Sequence, residues 1–415
     1  MRILQVNKFY YPRGGADKYF INLSQALEKA GNEVAIFSMT HPKNITSKFS
    51  SYFVSRISFN NGSWLDKLKM PGRIIYSFEA KEKFQKLIND FKPDIIHIHN
   101  IYHQISPSIL DVAKKSGIPV VMHLHDYKLI CPNYQLFANG KTCEACKSQK
   151  YYKCTQKKCF KESRAKSLLA AVEMYLHHSI WKIYQKNVDL FIAPSTFMKQ
   201  KVTEFGWPAD KIKVIINPFF QESNPDANNA PKNDIPEEDY LLYFGRLSKE
   251  KGLITLLEAA GATNSRLKLA GNGPEEEKLK RYTQEKKLTA EFLGFREGEE
   301  LRQIILKAKA VIIPSVWYEN MPLSLLEALS LGKLVIASNI GGIPEIIKNG
   351  ENGLLFKPGD TNDLIAKIKL LKTFDTKIIR ERAKKSVMNL TAENNLNEVL
   401  GVYQEILKNK KRLPI

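Results

Sequence analysis

Two rhythms of hydrophobic and polar residues alternate along the whole chain. Short apolar runs that stop at a turn residue are each followed by a longer stretch whose apolar positions recur every three or four residues. Runs of the first kind at 2–7, 33–38, 93–100, 118–123, 190–193 and 213–216 predict strands. Further runs at 240–244, 266–270, 291–293, 310–313 and 334–337 predict a second series. Helices are expected between them, the first continuing through Leu27 to stop near Gly31 and another spanning 167–187, while Ser195 should cap a third. Strand and helix in alternation point to parallel sheets covered on both faces. Asn217-Pro218 and the Asn-, Pro- and acid-rich stretch 221–238 read as the crossover and linker between the two series. The expected class is α/β: two facing, doubly wound parallel-sheet domains over 1–218 and 219–390, then a final helix at 393–408 within 391–415.

The most informative stretch is PSVWYENMPLSLLEALSLG, residues 314–332. A strand runs into Pro314, a loop carries Glu319 and Asn320, and Pro322 is expected in the first turn of a helix. Leu323, Leu325, Leu326 and Leu329 form its apolar face, and Gly332 ends it. The N–H groups of Met321, Leu323 and Ser324 would then crowd a helix N-terminus just past a strand's C-terminal end, an arrangement that holds phosphate. Glu319 lies before the helix and Glu327 inside it, so a carboxylate stands on either side of the anion. An ionised carboxylate only accepts hydrogen bonds and a diol offers two donors, so the inferred ligand is sugar–phosphate–sugar, a nucleotide sugar. An ordinary βα unit with two solvated glutamates would show the same spacing.

ENMPLSLLE, 319–327, resembles the E-x7-E motif of glycosyltransferase family 4, retaining enzymes of the two-domain GT-B fold. VIASNIGGIPEIIKNGENGLLFKPGD (335–360) and FGRLSKEKG (244–252) are similar to the same family in the expected order. The resemblance implies two Rossmann-like domains facing a central cleft, with the C-terminal helix crossing back onto the first. It implies that Arg246 and Lys251 reach a diphosphate, where an arginine fork and a lysine point charge offset its two negative charges. It implies that the turns at Gly271-Asn272-Gly273-Pro274 and Gly294-Phe295 enclose the base through backbone contacts, which leaves a UDP-sugar or a GDP-sugar as donor. Gly14 and Gly15, at the first strand's exit, match the family's glycine loop over donor phosphate or acceptor, although a bare Gly-Gly is otherwise a turn. HLHDY places His125, beside Asp126, against the donor sugar. His99 ranks second, and His97 and His123 are expected to point into the sheet or its helices.

Bulk properties narrow the setting. A chain of 415 residues with 43% hydrophobic content suits two or three globular domains. Its start, MRILQVNKFYYP, merges into a strand pattern and does not read as a signal peptide, and no apolar stretch approaches the ~20 residues of a membrane span. A cytoplasmic protein is expected, peripheral on the inner face of the plasma membrane. The net charge of +20 would suit a polyphosphate substrate, an anionic bilayer, nucleic acid, or simply a lysine-rich surface. No arginine-rich recognition helix, RNA-binding aromatic signature or zinc-finger pairing is found, so nucleic acid is not expected.

Two segments of the first half are basic. Lys67, Lys69, Arg73, Lys81, Lys83 and Lys86 accompany Leu65, Leu68, Ile74, Ile75, Phe78 and Phe84, which suits either a helix lying on anionic lipid or the solvated outer face of a domain helix. Just before it, 40–70 has poor periodicity with Phe53, Phe59 and Trp64, and the resemblance implies part of the acceptor site there. The insert 131–160 holds every cysteine of the chain: Cys131, Cys143, Cys146, Cys154 and Cys159. Its C-x-x-C and two later cysteines suit a small structural zinc site or, alternatively, reduced thiols in a lid, and disulfides are disfavoured in a cytoplasmic protein. A family 4 subset resembles this insert, and that resemblance selects Cys131, Cys143, Cys146 and Cys159, with Cys154 as the alternate. Lys141, Lys147, Lys150, Lys153, Lys157, Lys158 and Lys161, with Tyr151 and Tyr152, suit a lipid-linked pyrophosphate acceptor or the bilayer.

The expected function is a retaining glycosyltransferase moving a sugar from a nucleoside-diphosphate sugar to a hydroxyl acceptor, a lipid-linked glycan among the candidates, in cell-surface polysaccharide or lipopolysaccharide assembly. No well-placed enzymic nucleophile emerges, which fits the front-face mechanism that the resemblance implies, in which the leaving phosphate helps deprotonate the acceptor. Glu319 would hold the donor sugar, Glu327 the ribose and His125 the sugar's far side. No catalytic metal is required, because two cations and a helix end supply the charge. The alternatives are a nucleotide-sugar 2-epimerase of the same fold, which would form an epimer without acceptor, and a non-catalytic lipid- or nucleic-acid-binding module.

Overall fold

The computed structural model describes residues 1–57, 64–219, 236–371 and 376–412, without the side chains of 64–69, 376, 411 and 412. The chain divides into two compact units: Met1–Leu136 with Glu144–Ile216 and Ala392–Ile415, and Phe137–Cys143 with Asn217–Thr391. Six strands build the sheet of the first: β1 (Arg2–Val6), β2 (Glu33–Phe37), β3 (Ile95–Ile98), β4 (Val120–His123) and, after a short antiparallel hairpin of β5 (Phe137–Ala138) and β6 (Lys141–Thr142) that belongs to the second unit, β7 (Leu190–Ala193) and β8 (Ile212–Val214). Their order is β2-β1-β3-β4-β7-β8, all parallel.

The second unit repeats the plan with β9 (Tyr240–Phe244), β10 (Arg266–Ala270), β11 (Ala290–Gly294), β12 (Ala310–Ile313), β13 (Val335–Ser338) and β14 (Leu354–Phe356), in the order β11-β10-β9-β12-β13-β14. Every neighbouring pair is again parallel. In each sheet the strand order reverses beside the unit's first strand, between β1 and β3 and between β9 and β12. Chain segments leave that point in opposite directions, which opens a crevice beyond the strands' C-terminal ends.

Burial on both faces explains the continuous apolar runs. Val120 and Val121 of β4 and Ala310, Val311 and Ile312 of β12 are fully buried. The helix Leu253–Ala262 lays Leu256, Leu257 and Ala260 on the second sheet, and the helix Leu323–Ser330 buries Leu325, Leu326 and Leu329. The last helix, Ala392–Arg412, packs with the first unit. Val399, Val402 and Tyr403 on it are fully buried, each such side chain contributing about 1.5–3 kcal/mol. Tyr19 Oη donates to Asn395 Oδ1 at 3.0 Å and Gln5 Nε2 donates to Tyr403 Oη at 3.3 Å, so helix and first strand are tied by polar contacts as well.

Several expected elements change. The helix expected over 167–187 is three pieces: Arg164–Met174, a π turn Tyr175–Ile180, and Ile183–Asn187, with Lys182 at φ 52° breaking the run. Wide i→i+5 turns of this kind are uncommon and cluster at functional places. The basic helix is two helices, Trp64–Ile75 and Phe78–Phe91, the second capped by Ser77 Oγ accepting from Ala80 N at 3.1 Å. Ile74 and Phe84 turn into the core, and Lys83 and Lys86 pair with Glu79 and Glu82, so this stretch is largely a domain face. Phe53 is core as well; the side chains of Phe59, Trp64, Leu65, Lys67, Leu68 and Lys69, and most of the linker, lie outside the described residues. Ser195 caps its helix as expected, accepting from Met198 N at 3.1 Å. Among the described residues no helix is long and apolar enough to cross a membrane.

Candidate active site

The second unit gathers four strand exits. From β9, Tyr243 donates its hydroxyl to the Arg246 carbonyl at 2.7 Å, and burial beside Glu319 and Glu250 holds that phenol protonated, well above its usual range. Leu247 N donates to the Asn272 carbonyl at 2.9 Å and Gly271 N to the Gly294 carbonyl at 2.7 Å, knitting the exits of β9, β10 and β11 together. Gly271 sits at φ +143° with the Gly245 oxygen 1.9 Å from where a Cβ would stand. Only glycine lets the two backbones approach so closely. Arg246 and Asn272 are exposed on these loops.

The β12 exit carries the carboxylate that the motif singled out. Glu319 is buried, and its Oε1 accepts from Lys251 Nζ at 2.6 Å and from Ser315 Oγ at 2.5 Å. Lys251 also lies 5.3 Å from the Trp317 ring centre. The Glu319 backbone is fixed from another direction: Gly342 N donates to its carbonyl at 2.8 Å, and Gly341, at φ +64°, brings the next turn so near that a Cβ would stand 2.1 Å from that carbonyl oxygen.

Pro322 is the N-cap of the following helix (φ −69°, ψ 122°), one position earlier than the sequence suggested. The reason is its carbonyl, which accepts from both Leu325 N (3.0 Å) and Leu326 N (3.4 Å) and so opens the ladder itself. Proline offers no side-chain cap, which leaves the N–H groups of Leu323 and Ser324 ahead of that ladder at the positive end of the helix. Asn320, Met321 and Pro322 are buried, while Leu323, Ser324 and Glu327 are half-buried on the helix.

In the first unit, Gly14 is the extended N-cap (φ −164°) of the helix Gly15–Lys29, and nothing lies within 4 Å of a Cβ built on it. Glycine there leaves space rather than relieving backbone strain. His125 follows β4. Its Nε2 lies 2.8 Å from His99 Nδ1, whose other nitrogen lies 3.0 Å from Gln5 Oε1. Burial keeps His97, His99 and His125 neutral, far below the usual imidazole range, with neighbouring imidazoles adding to it. The expected division of the histidines fails. His97, His99, His123 and His125 form one stack, with ring centres 4.4 Å apart for His97–His99 and 4.5 Å for His123–His125. Residues two apart share a face of a strand, so each i, i+2 pair on neighbouring β3 and β4 had to point the same way.

Beside the stack, buried charges meet that no local pattern announced. Lys8 Nζ stands 3.5 Å over the Tyr102 ring, and burial lowers it to about 8 against the pull of Asp126 and Asp17. Tyr102 donates its hydroxyl to Asp126, whose other oxygen accepts from Lys128 N at 2.9 Å. Lys128 Nζ donates to Glu173 at 2.8 Å, with His103 Nε2 at 3.5 Å from the same oxygen. Burial alone would raise Glu173, but Lys128 and His103 hold it well below the carboxylate range.

Comparison with known proteins shows the family. The model of Glycosyltransferase Family 4 matches residues 13–219, and that of Glycosyl transferases group 1 matches 226–409. The chain is a family 4-like glycosyltransferase of the GT-B fold. It is similar to glycogen synthase of Mycobacterium tuberculosis, 26% identical over 99% of this chain and 95% of that protein. It is also similar to an uncharacterized 42.6 kDa protein in the cps region of Klebsiella pneumoniae, 26% identical over 83% of this chain and 87% of that one. Among solved structures, Anabaena HepE in complex with UDP and glucose superimposes with a TM-score of 0.66 at 18% identity, covering 98% of this chain and 100% of that chain.

The cysteine insert of this glycosyltransferase departs from expectation. Among the described residues no three cysteine sulfurs gather within 4.8 Å; the trio that does so is His97, His99 and His123. Tetrahedral zinc needs its thiolates closer than that around one point. Cys131 instead donates to Asn133 Oδ1 at 2.8 Å, burial pushing its thiol up to about 11. Cys146 and Cys154 pack with Tyr151, Ala171 and Met174 as apolar groups, with Cys159 against them. The expected set of Cys131, Cys143, Cys146 and Cys159, with Cys154 as alternate, is not gathered around one point among the described residues. Ser315, Gly341, Gln5 and Tyr403, which position the acid and the histidines, went unnoticed in the sequence; the Gly-Gly at 341–342 was the visible hint.

Proposed function

We propose that this glycosyltransferase moves a hexose from a nucleoside-diphosphate sugar to a hydroxyl acceptor with retention of anomeric configuration. The observation that carries this reading is the ion pair of Lys251 and Glu319, placed beside a helix start without a side-chain cap. An ammonium has three donors, and Glu319 engages one, so Lys251 still has N–H groups for phosphate oxygens. With Arg246 and the amides of Leu323 and Ser324 it offsets the charge of the departing diphosphate without a metal. Lys251 and Ser315 both bind Oε1 of Glu319, which turns Oε2 toward a sugar diol and makes the carboxylate a poor nucleophile. That favours front-face transfer, in which the leaving phosphate takes the acceptor proton. Glu327, further along the helix, takes the ribose.

The roles of Gly14 and Gly15 at the donor phosphate, of Gly271 and Asn272 at the base, and of His125 at the sugar rest on the resemblance to family 4. A UDP-sugar as donor is supported by the UDP and glucose bound to HepE, a protein of the same fold. A polysaccharide acceptor is supported by the glycogen synthase likeness and by the relative from a cps region. The test is a thermal-shift panel of nucleoside-diphosphate sugars. One donor should raise the melting temperature, and Glu327→Ala and Arg246→Ala should abolish the shift while remaining folded. Formation of an epimer from that donor without any acceptor would replace transfer by 2-epimerisation.

A further inference from the structure

The first unit exposes apolar side chains that no part of the donor chemistry uses. Phe78 is 76% exposed and Ile180 64%, and Trp181 beside it is also exposed. The ring of Tyr76 joins them, 5.4 Å from Phe78 and 6.0 Å from Trp181 between centres. His177 Nε2–H donates to the Ile75 carbonyl at 2.7 Å, fixing the π turn to the segment that carries Tyr76 and Phe78. The patch continues along the helix before the turn, where Leu168 (54%) and Val172 (39%) stand one turn apart. A shallow cavity of about 570 Å³ opens among Tyr76, Phe78, Trp181 and Ile183. Soluble surfaces rarely leave such groups together without use.

Lysines dominate the charges around the patch, and its acids are already paired, Glu79 with Arg73 and Lys83. Lys182 and Lys186 are exposed beside it, and Lys81 Nζ lies 5.5 Å from the Tyr76 ring centre. The acid at the cavity, Asp111, is already engaged by the Tyr76 hydroxyl at 2.9 Å and Asn187 Nδ2 at 3.0 Å. A second copy docking by two-fold symmetry would set lysine against lysine. An anionic bilayer instead meets aromatic rings at headgroup depth and lysines at the phosphates. We propose that Phe78, Tyr76, Ile180 and Trp181, ringed by Lys81, Lys182 and Lys186, form a docking surface for an anionic lipid bilayer. Its apolar side chains enter the interface while its lysines bind lipid phosphate. This surface shares Phe78 and Lys81 with the basic segment that composition suggested, adds the π turn's Ile180 and Trp181, and leaves out the cysteine insert.

Cosedimentation with vesicles of phosphatidylglycerol and phosphatidylcholine tests it. The wild-type chain should pellet with these vesicles, be released by high salt, and ignore vesicles of phosphatidylcholine alone. The triple substitution Phe78→Ser, Ile180→Ser, Trp181→Ser should lower the partition coefficient about tenfold or more, because three apolar side chains lose their burial. Lys182→Glu with Lys186→Glu should remove the preference for the anionic lipid. Quenching of tryptophan by brominated lipid should disappear in Trp181→Phe, which keeps the apolar contact and therefore still binds. Both multiple variants should keep the donor-induced thermal shift, so failure of docking and failure of the donor reading are separate results. Absence of wild-type binding, unchanged binding by the triple variant, or a concentration-dependent dimer that this variant dissolves would each overturn the proposal.

Discussion

Two strand exits of this glycosyltransferase solve the same problem by different means. After β12, an acid is held by one local side chain, by backbone and by one distant cation: Ser315 lies four residues away, Gly341 and Gly342 press on its main chain, and Lys251 pairs with it from the β9 exit. After β3 and β4, polar side chains are held by partners from distant elements, such as Gln5 on His99 and Glu173 on Lys128. The first arrangement needs small residues and a positive φ; the second needs burial in which every charge and ring nitrogen meets a partner. A site made of buried side chains fails when a single partner is lost.

The largest effect should come from the second kind. Glu173→Ala strands the buried Lys128 ammonium and should cost about 3–5 kcal/mol in urea unfolding, whereas Glu173→Leu with Lys128→Met should recover most of it. Acid should act on the same region. His97, His99 and His125 have folded pKa values below 6.5, so the unfolded chain takes up protons first and stability, complete above pH 6.5, declines as the pH falls beneath it. The loss should grow as the pH falls from about 6.5 towards 5.5, read from melts across pH. A flat profile from pH 7.5 down to about 5.5 would contradict the neutral stack.

The exit after β12 should respond in activity rather than stability. Glu319→Gln should lower kcat about 100- to 1000-fold in a transfer assay with little change in melting temperature. Gly341→Ala should cost about 1–3 kcal/mol in left-handed backbone strain, and its Cβ, 2.1 Å from the Glu319 carbonyl oxygen, must push that turn aside, seen as weaker donor binding in calorimetry. If Gly341→Ala destabilised the fold more than Glu173→Ala, the contrast between the two exits would be wrong.

The donor-side region was legible because its determinants are short-range. A strand, a loop acid and a helix start can be read within twenty residues, and the slip by one position at Pro322 arose because a proline can open a helix as cap or as first residue. The histidine faces were legible too, since i, i+2 spacing sets His97 with His99 and His123 with His125 on one side at the ends of β3 and β4. By contrast, Lys8, Tyr102, Asp126, Lys128 and Glu173 are unremarkable in any window. Nothing near Gln5 announces a partner 398 residues away.

Apolar rhythm and turn residues by themselves determined the two parallel-sheet units, the order of their elements and the segment that carries Glu319 and Glu327, since period and capping act over one strand or one turn. Tertiary structure decided which buried charges pair, which of the aromatic residues near 76–78 and 180–181 stay in solvent, and how the five thiols are spent. Those outcomes depend on which distant surfaces pack together, and desolvation has no meaning until they do.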